Sequence, residues 1–197
     1  MKTAAVLSIC LFLFVGAVEA QQPASATTSQ KFLSGGTIRL HLEAGGYTLS
    51  PSDSDTITVT CEHRSQEKLK QVRVTINAAG TTADVYVRNT PNNNFTAVIE
   101  IPRRSNVWAR LTAGEITVGT IEGDKDIELN AGSLVVDIPK PQDYGVREAS
   151  VTTGSISAPA FEENRDGLFR SFRQHGPGKY RLHVHVLAGE ITLRAAN

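Results

Sequence analysis

The side chains best suited to hold a ligand cluster at Arg103, Arg104, Trp108 and Arg110. An indole face stacks on a sugar ring, and guanidiniums pair with carboxylate or sulfate groups, so this grouping suits a glycan, above all an anionic one. Val107, Ala109 and Leu111 alternate as the inward residues of a strand, which leaves Trp108 and Arg110 pointing out. The competing arrangement packs Trp108 under a loop or against the stems of its arginine neighbours. These four residues are the candidate binding residues.

A second pattern is His183-Val184-His185. Residues two apart on a strand share a face, so both imidazoles could reach one metal ion. Arg181 stands beside them, no carboxylate lies in the same strand, and a third ligand would have to come from His41 or His175. The expectation is a solvated strand face with no metal site, and His63, beside Glu62, reads as a loop residue. Catalytic patterns are lacking. There is no G-x-S-x-G elbow, and Gly35-Gly36 has no Walker lysine after it. Asp53 and Asp55, like Asp124 and Asp126, have the spacing of turn residues that bond their own backbone. No catalytic residue and no cofactor is expected.

The elements that carry these residues are strands. Ile38, Leu40 and Leu42 alternate with polar residues, as do Ile57, Val59 and Cys61; Val72, Val74 and Ile76; Val85 and Val87; and Phe95, Ala97, Ile99 and Ile101. Period-two alternation is the mark of half-buried strands. Turn residues separate them at Ser52-Asp53-Ser54-Asp55, Ala79-Gly80 and Pro91-Asn92-Asn93-Asn94. The best helical stretch, Ser65 to Gln71, is short and polar and reads as a loop turn. A phrase then repeats: Ala113-Gly114-Glu115-Ile116-Thr117-Val118, Ala131-Gly132-Ser133-Leu134-Val135-Val136, Thr153-Gly154-Ser155-Ile156-Ser157-Ala158 and Ala188-Gly189-Glu190-Ile191-Thr192-Leu193. Gly114, Gly132 and Gly154 are 18 and 22 residues apart. A glycine corner followed by a short strand, at a period near that, predicts an all-β, single-domain β-solenoid, a β-helix-like stack of rungs. The alternative is a β-sandwich. Gly154 and Gly189 are 35 residues apart, so Pro159 to Lys179 reads as an insertion whose aromatic residues Phe161, Phe169 and Phe172 cap the end of the stack.

The opening Gly35-Gly36-Thr37-Ile38-Arg39-Leu40 and Gly45-Gly46-Tyr47-Thr48-Leu49, with Ile99-Glu100-Ile101-Pro102-Arg103 and the phrase at Gly114, resembles a bacterial family of adhesin-like domains of unknown function. Some of its members are of the auto-transporter adhesin type. The resemblance covers about Lys31 to Arg194. It implies an exported, non-enzymatic protein with a β-helical core of glycine-strand repeats, and it brings no catalytic residues with it. The long insertion and the lack of a visible membrane anchor depart from the family pattern.

Met1-Lys2, the apolar run Ala4 to Val18 and the small-residue site Val18-Glu19-Ala20 predict a secretory signal peptide over residues 1–20. A polar leader over residues 21–30, expected to be flexible, and an adhesin-like domain over residues 31–197 follow. Cleavage would leave Cys61 as the sole thiol, inward-facing beside Ile57 and Val59, with no intramolecular disulfide. Lys and Arg total 20 and Asp and Glu total 20, so no basic field for nucleic acid exists. The sequence therefore points to an exported protein, periplasmic or extracellular, that binds or scaffolds an envelope glycan or protein. Self-assembly is the next alternative, and a glycan-active enzyme a more distant one.

Overall fold

The computed structural model describes residues 24–196. The expected signal peptide and the start of the leader lie outside the described residues. Twelve strands form one sheet: β1 Ala24–Lys31, β2 Thr37–Leu42, β3 Gly45–Ser52, β4 Thr56–His63, β5 Arg73–Ala79, β6 Thr82–Arg88, β7 Thr96–Pro102, β8 Asn106–Val118, β9 Lys125–Ile138, β10 Tyr144–Ala158, β11 Glu163–His175 and β12 Tyr180–Ala195. Ser65 caps a single helical turn, α1 Gln66–Leu69, by accepting from the Lys68 backbone N–H, so the segment read as a loop turn closes one helical turn and buries Leu69. Among the described residues no helix is long and apolar enough to cross a membrane.

The chain is all-β, and the sheet is open. Its main path runs β1-β4-β7-β3-β8-β9-β12-β10-β11, with β2 joining β6 to the first half of β8. The repeats are stacked in parallel and in register, but not in chain order: β12 lies between β9 and β10. The insertion explains the order. It forms β11, which turns back antiparallel on the outer side of β10 and leaves the other side of β10 to the returning β12. Phe161 and Phe172 from this segment are buried as expected of capping residues, whereas Leu168 and Phe169 are 60% and 79% exposed.

The glycine phrases mark a corner within four long strands, not a break between short ones. In β8 the buried residues are Val107, Ala109 and Leu111 before Gly114, then Ile116 and Val118 after it. The buried positions change from odd to even across the glycine. β9 and β10 make the same change across Gly132 and Gly154, and β12 shifts its phase by one residue likewise across Gly189, from Leu182, Val184 and Val186 to Ile191 and Leu193. A strand of unbroken alternation would turn one limb's apolar side chains outward. The extra residue at the corner instead aims both limbs into one continuous core. The residues there have to be glycine for two reasons. Gly132 and Gly189 hold φ of +130° and +146°, where a Cβ is strained. They also stand side by side in the ladder, so a Cβ on Gly189 would overlap the Gly132 carbonyl oxygen.

Three local expectations are corrected. Residues 24–30, placed by their sequence in a flexible leader, form with Lys31 strand β1, paired along its length with β4. It shows no alternation because it is almost wholly exposed and held by backbone hydrogen bonds. His63 is buried, not a loop residue; it ends β4, and its ring nitrogens meet the Asn93 carbonyl at 2.9 Å and the Ser65 backbone N–H at 2.8 Å. The phrase at Gly189, read as a glycine corner opening a short strand, lies inside one bent strand, β12. Cys61 is buried beside Ile57 and Val59, as its spacing requires, and burial pushes its thiol up to about 11.

Candidate functional site: two polar rows across the first limb

In-register stacking turns the outward residues of successive strands into rows. One row runs Asp84, Arg39, Trp108, Asp126, His183, Glu148, Arg173 across β6, β2, β8, β9, β12, β10 and β11. The next runs Tyr86, His41, Arg110, Glu128, His185, Ser150, Ser171 over the same strands. The inward neighbours Ala109, Ile127 and Val184 are fully buried and hold the rows in place from beneath. Each such apolar side chain contributes roughly 1–3 kcal/mol by burial, so the face rests on a stiff floor.

Arg110 is the hub. Its Nη2 lies 2.9 Å from Asp126 Oδ1 and 3.0 Å from Glu128 Oε1, and its Nη1 donates to the carbonyls of Ala109 and Asp126 at 2.9 and 3.1 Å. Its guanidinium carbon sits 4.1 Å from the Trp108 ring centroid, a cation–π distance. The His41 ring lies 5.1 Å from that indole, centroid to centroid, and stacks on Tyr86 at 4.4 Å. Beyond Asp126, His183 Nδ1 is 3.3 Å from Asp126 Oδ1, and His185 Nδ1 is 2.8 Å from Ser150 Oγ.

Trp108 borders a concavity of about 600 Å³ whose other walls include Asn106, Asp126, Glu148, Arg173 and His183. With Asp124 and Arg181 also in its lining, one aromatic face, three carboxylates, two guanidiniums and an imidazole converge on a hollow the size of a small sugar or peptide segment. Lys125 closes its floor. The residue is 1% exposed, and its ammonium donates to the Ile121 carbonyl at 2.6 Å, the Gly123 carbonyl at 3.3 Å and the Tyr144 hydroxyl. Burial pulls its pKa down to about 8, with Asp124 and Glu122 partly opposing that shift.

The four residues named from sequence part into two groups. Trp108 and Arg110 do point outward, and they touch; the packing of the indole against an arginine, weighed as its alternative state, coexists with an open concavity. Arg103 and Arg104 line a different hollow with Ser34, Asp55 and Glu122, where Arg103 Nε is bonded to Asp53 at 3.0 Å. His183 and His185 share the outward face, as their spacing requires, but their nearby acids come from the next strand. Sequence reasoning missed Asp126, which it assigned to a turn, and it missed Glu128 and Glu148. The glycines hold the signal. Counting back six residues from Gly114, Gly132, Gly154 and Gly189 gives Trp108, Asp126, Glu148 and His183, and counting back four gives Arg110, Glu128, Ser150 and His185.

No family model matches the chain. No curated protein matches it either. Among solved structures, the chain is similar to a candidate cell adhesion protein from Clostridium sporogenes, at 12% identity and a TM-score of 0.56, over 89% of this chain and 100% of that one. The two share a fold. Candidate adhesins from Bacteroides fragilis (8% identity, TM-score 0.31, 88% and 99% coverage) and Parabacteroides merdae (12%, 0.25, 57% and 58%) are too slight a likeness to bear on this chain.

Proposed function

We propose that this protein is an exported, non-enzymatic, adhesin-like binding protein of the bacterial envelope. Its β-solenoid-like stack presents the two polar rows to an envelope glycan, with Trp108 as the stacking platform and Arg110 as its positioning partner. The observation that carries the reading is Trp108 at the edge of a concavity of about 600 Å³ flanked by Asp126, Glu148, Arg173 and His183. A half-buried indole held flat by a guanidinium, with donors and acceptors beside it, suits a pyranose ring. The fold shared with the Clostridium sporogenes protein, described as a candidate adhesion protein, supports the adhesive class. The test is co-sedimentation of the secreted protein with cell-wall sacculi and outer-membrane fractions, beside Trp108→Ala. Binding by wild type and its loss in the variant would support the reading; equal pelleting of the two would remove Trp108 from it.

A second reading, self-association, is favoured by one edge. β11 ends the sheet with Leu168 and Phe169 exposed. Two copies paired antiparallel about Leu168 would set Glu163 against Arg173 and Asp166 against Arg170, an arrangement of opposite charges. Sedimentation velocity decides it: a dimer that Asp166→Arg dissociates supports it, and a monomer at high concentration excludes it.

A further inference from the structure

We propose that Asp126, Glu128 and His183, with His185 alongside, form a divalent-metal site of the zinc class, and that Arg110 occupies the cation's place when no metal is bound. The four residues stand at the corners of a rectangle on two adjacent parallel strands, Asp126 beside His183 and Glu128 beside His185. One donor atom from each of Asp126, Glu128 and His183 falls within 4.8 Å of the others. The His183 Nδ1 to Asp126 Oδ1 separation of 3.3 Å matches what two donors about 2 Å from one tetrahedral ion require. An imidazole with two carboxylates suits zinc better than magnesium, which prefers an oxygen shell.

Arg110 marks where a positive charge belongs. Its Nη2 bridges the two carboxylates at 2.9 and 3.0 Å, so a single cation between them is already part of the structure. A zinc ion offers twice that charge at the same point and gains the His183 nitrogen as well. To enter, it must displace the guanidinium, which also gives up its contact with the Trp108 ring. Metal binding is therefore coupled to the face of the chain's single tryptophan. The residues rest on buried Ile127 and Val184, so losing the ion leaves the strands where they are. This proposal does not depend on glycan binding.

The experiment titrates zinc into tag-free secreted protein, with calorimetry for stoichiometry and Trp108 emission for the local change. One zinc per chain with a change in emission is expected, together with no response to magnesium. His183→Asn weakens zinc by more than about tenfold, and Arg110→Met tightens it by removing the competitor. Asp126→Asn serves in place of His183→Asn if that variant melts early. Zinc affinity unchanged in the ligand variants overturns the site, and so does the lack of any zinc binding by wild type. Equal affinity in Arg110→Met and wild type overturns the competition with Arg110.

Discussion

Lys125 gives the most direct quantitative test of the structure. It occupies an inward position of β9, where the equivalent residues of β8 and β12 are Val107 and Leu182. The residue is 1% exposed, and burial lowers its pKa to about 8. In the unfolded chain a lysine titrates near 10.4. Between those values the unfolded state binds more protons than the folded one, so stability rises with pH. Well below pH 8 both states are protonated and the group contributes no slope. Integrating the linkage relation gives a gain on the order of 1 kcal/mol between pH 7 and pH 9 from this residue alone. Cys61 works in the opposite sense, because its buried thiol stays protonated while the unfolded one ionises. Tyr47 and Tyr144, both raised mainly by burial, oppose it further once unfolded tyrosines ionise above pH 10. Lys125→Met removes the lysine and leaves those other groups in place. Urea unfolding of both proteins at pH 7, 8 and 9 therefore isolates it: the stability of wild type minus that of the variant climbs by roughly 1 kcal/mol. The carbonyls of Ile121 and Gly123 left without their donor shift the variant by a constant, not by a slope. A difference that stays flat across this range would show that Lys125 is hydrated, and the burial argument would fail.

Further outcomes follow from the corner and the core. Gly189→Ala combines a strained φ of +146° with overlap onto the Gly132 carbonyl; it should cost about 3 kcal/mol or more, read as a lowered urea midpoint, while the same change at Gly80, where a Cβ meets open space, costs markedly less. Leu134→Ala, in a fully buried site on the second limb, should lose roughly 2–5 kcal/mol in the same assay. Cys61, in a chain carrying Cys10→Ser, should resist a disulfide reagent at pH 7.5 until urea unfolds it, because the thiol is buried and raised to about 11; prompt reaction of the native protein would contradict that placement.

The strands were legible because burial alternates cleanly wherever one face meets the core. Ile38, Leu40 and Leu42, or Ile57, Val59 and Cys61, announce themselves in this way. β1 was not, since a strand exposed on both faces has no pattern to display and is held by its backbone alone. The order of the strands was also out of reach. Nothing in the phrase at Gly189 distinguishes a strand stacked outside β10 from one placed between β9 and β10; that choice depends on β11 already covering the far side. The glycines themselves were readable as corners, and the change of inward phase across each one was present in the spacing of Leu111 and Ile116 or Leu129 and Leu134.

The candidate site lay in the same spacing, but only once the glycines are aligned with one another. Trp108 and Arg110 stood out by residue type, whereas Asp126 resembled a turn residue because its neighbours in sequence are Asp124 and Lys125. Its functional neighbours are across the sheet, at one position on each successive strand. A parallel in-register stack makes residues that are 18 or 57 apart in sequence into direct neighbours, as Trp108 is to Asp126 and Asp126 to His183. It also places like charges at risk of meeting, since each strand adds its outward residue to the same row. The first row avoids this by keeping its carboxylates apart: Asp84 lies beside Arg39, Asp126 between Trp108 and His183, and Glu148 between His183 and Arg173. In the second row Arg110 stands beside Glu128 and reaches across to serve Asp126 as well. That shared cation is the least redundant charge on the face. Whatever binds there, a sugar acid or a metal ion, has to contend with Arg110 first.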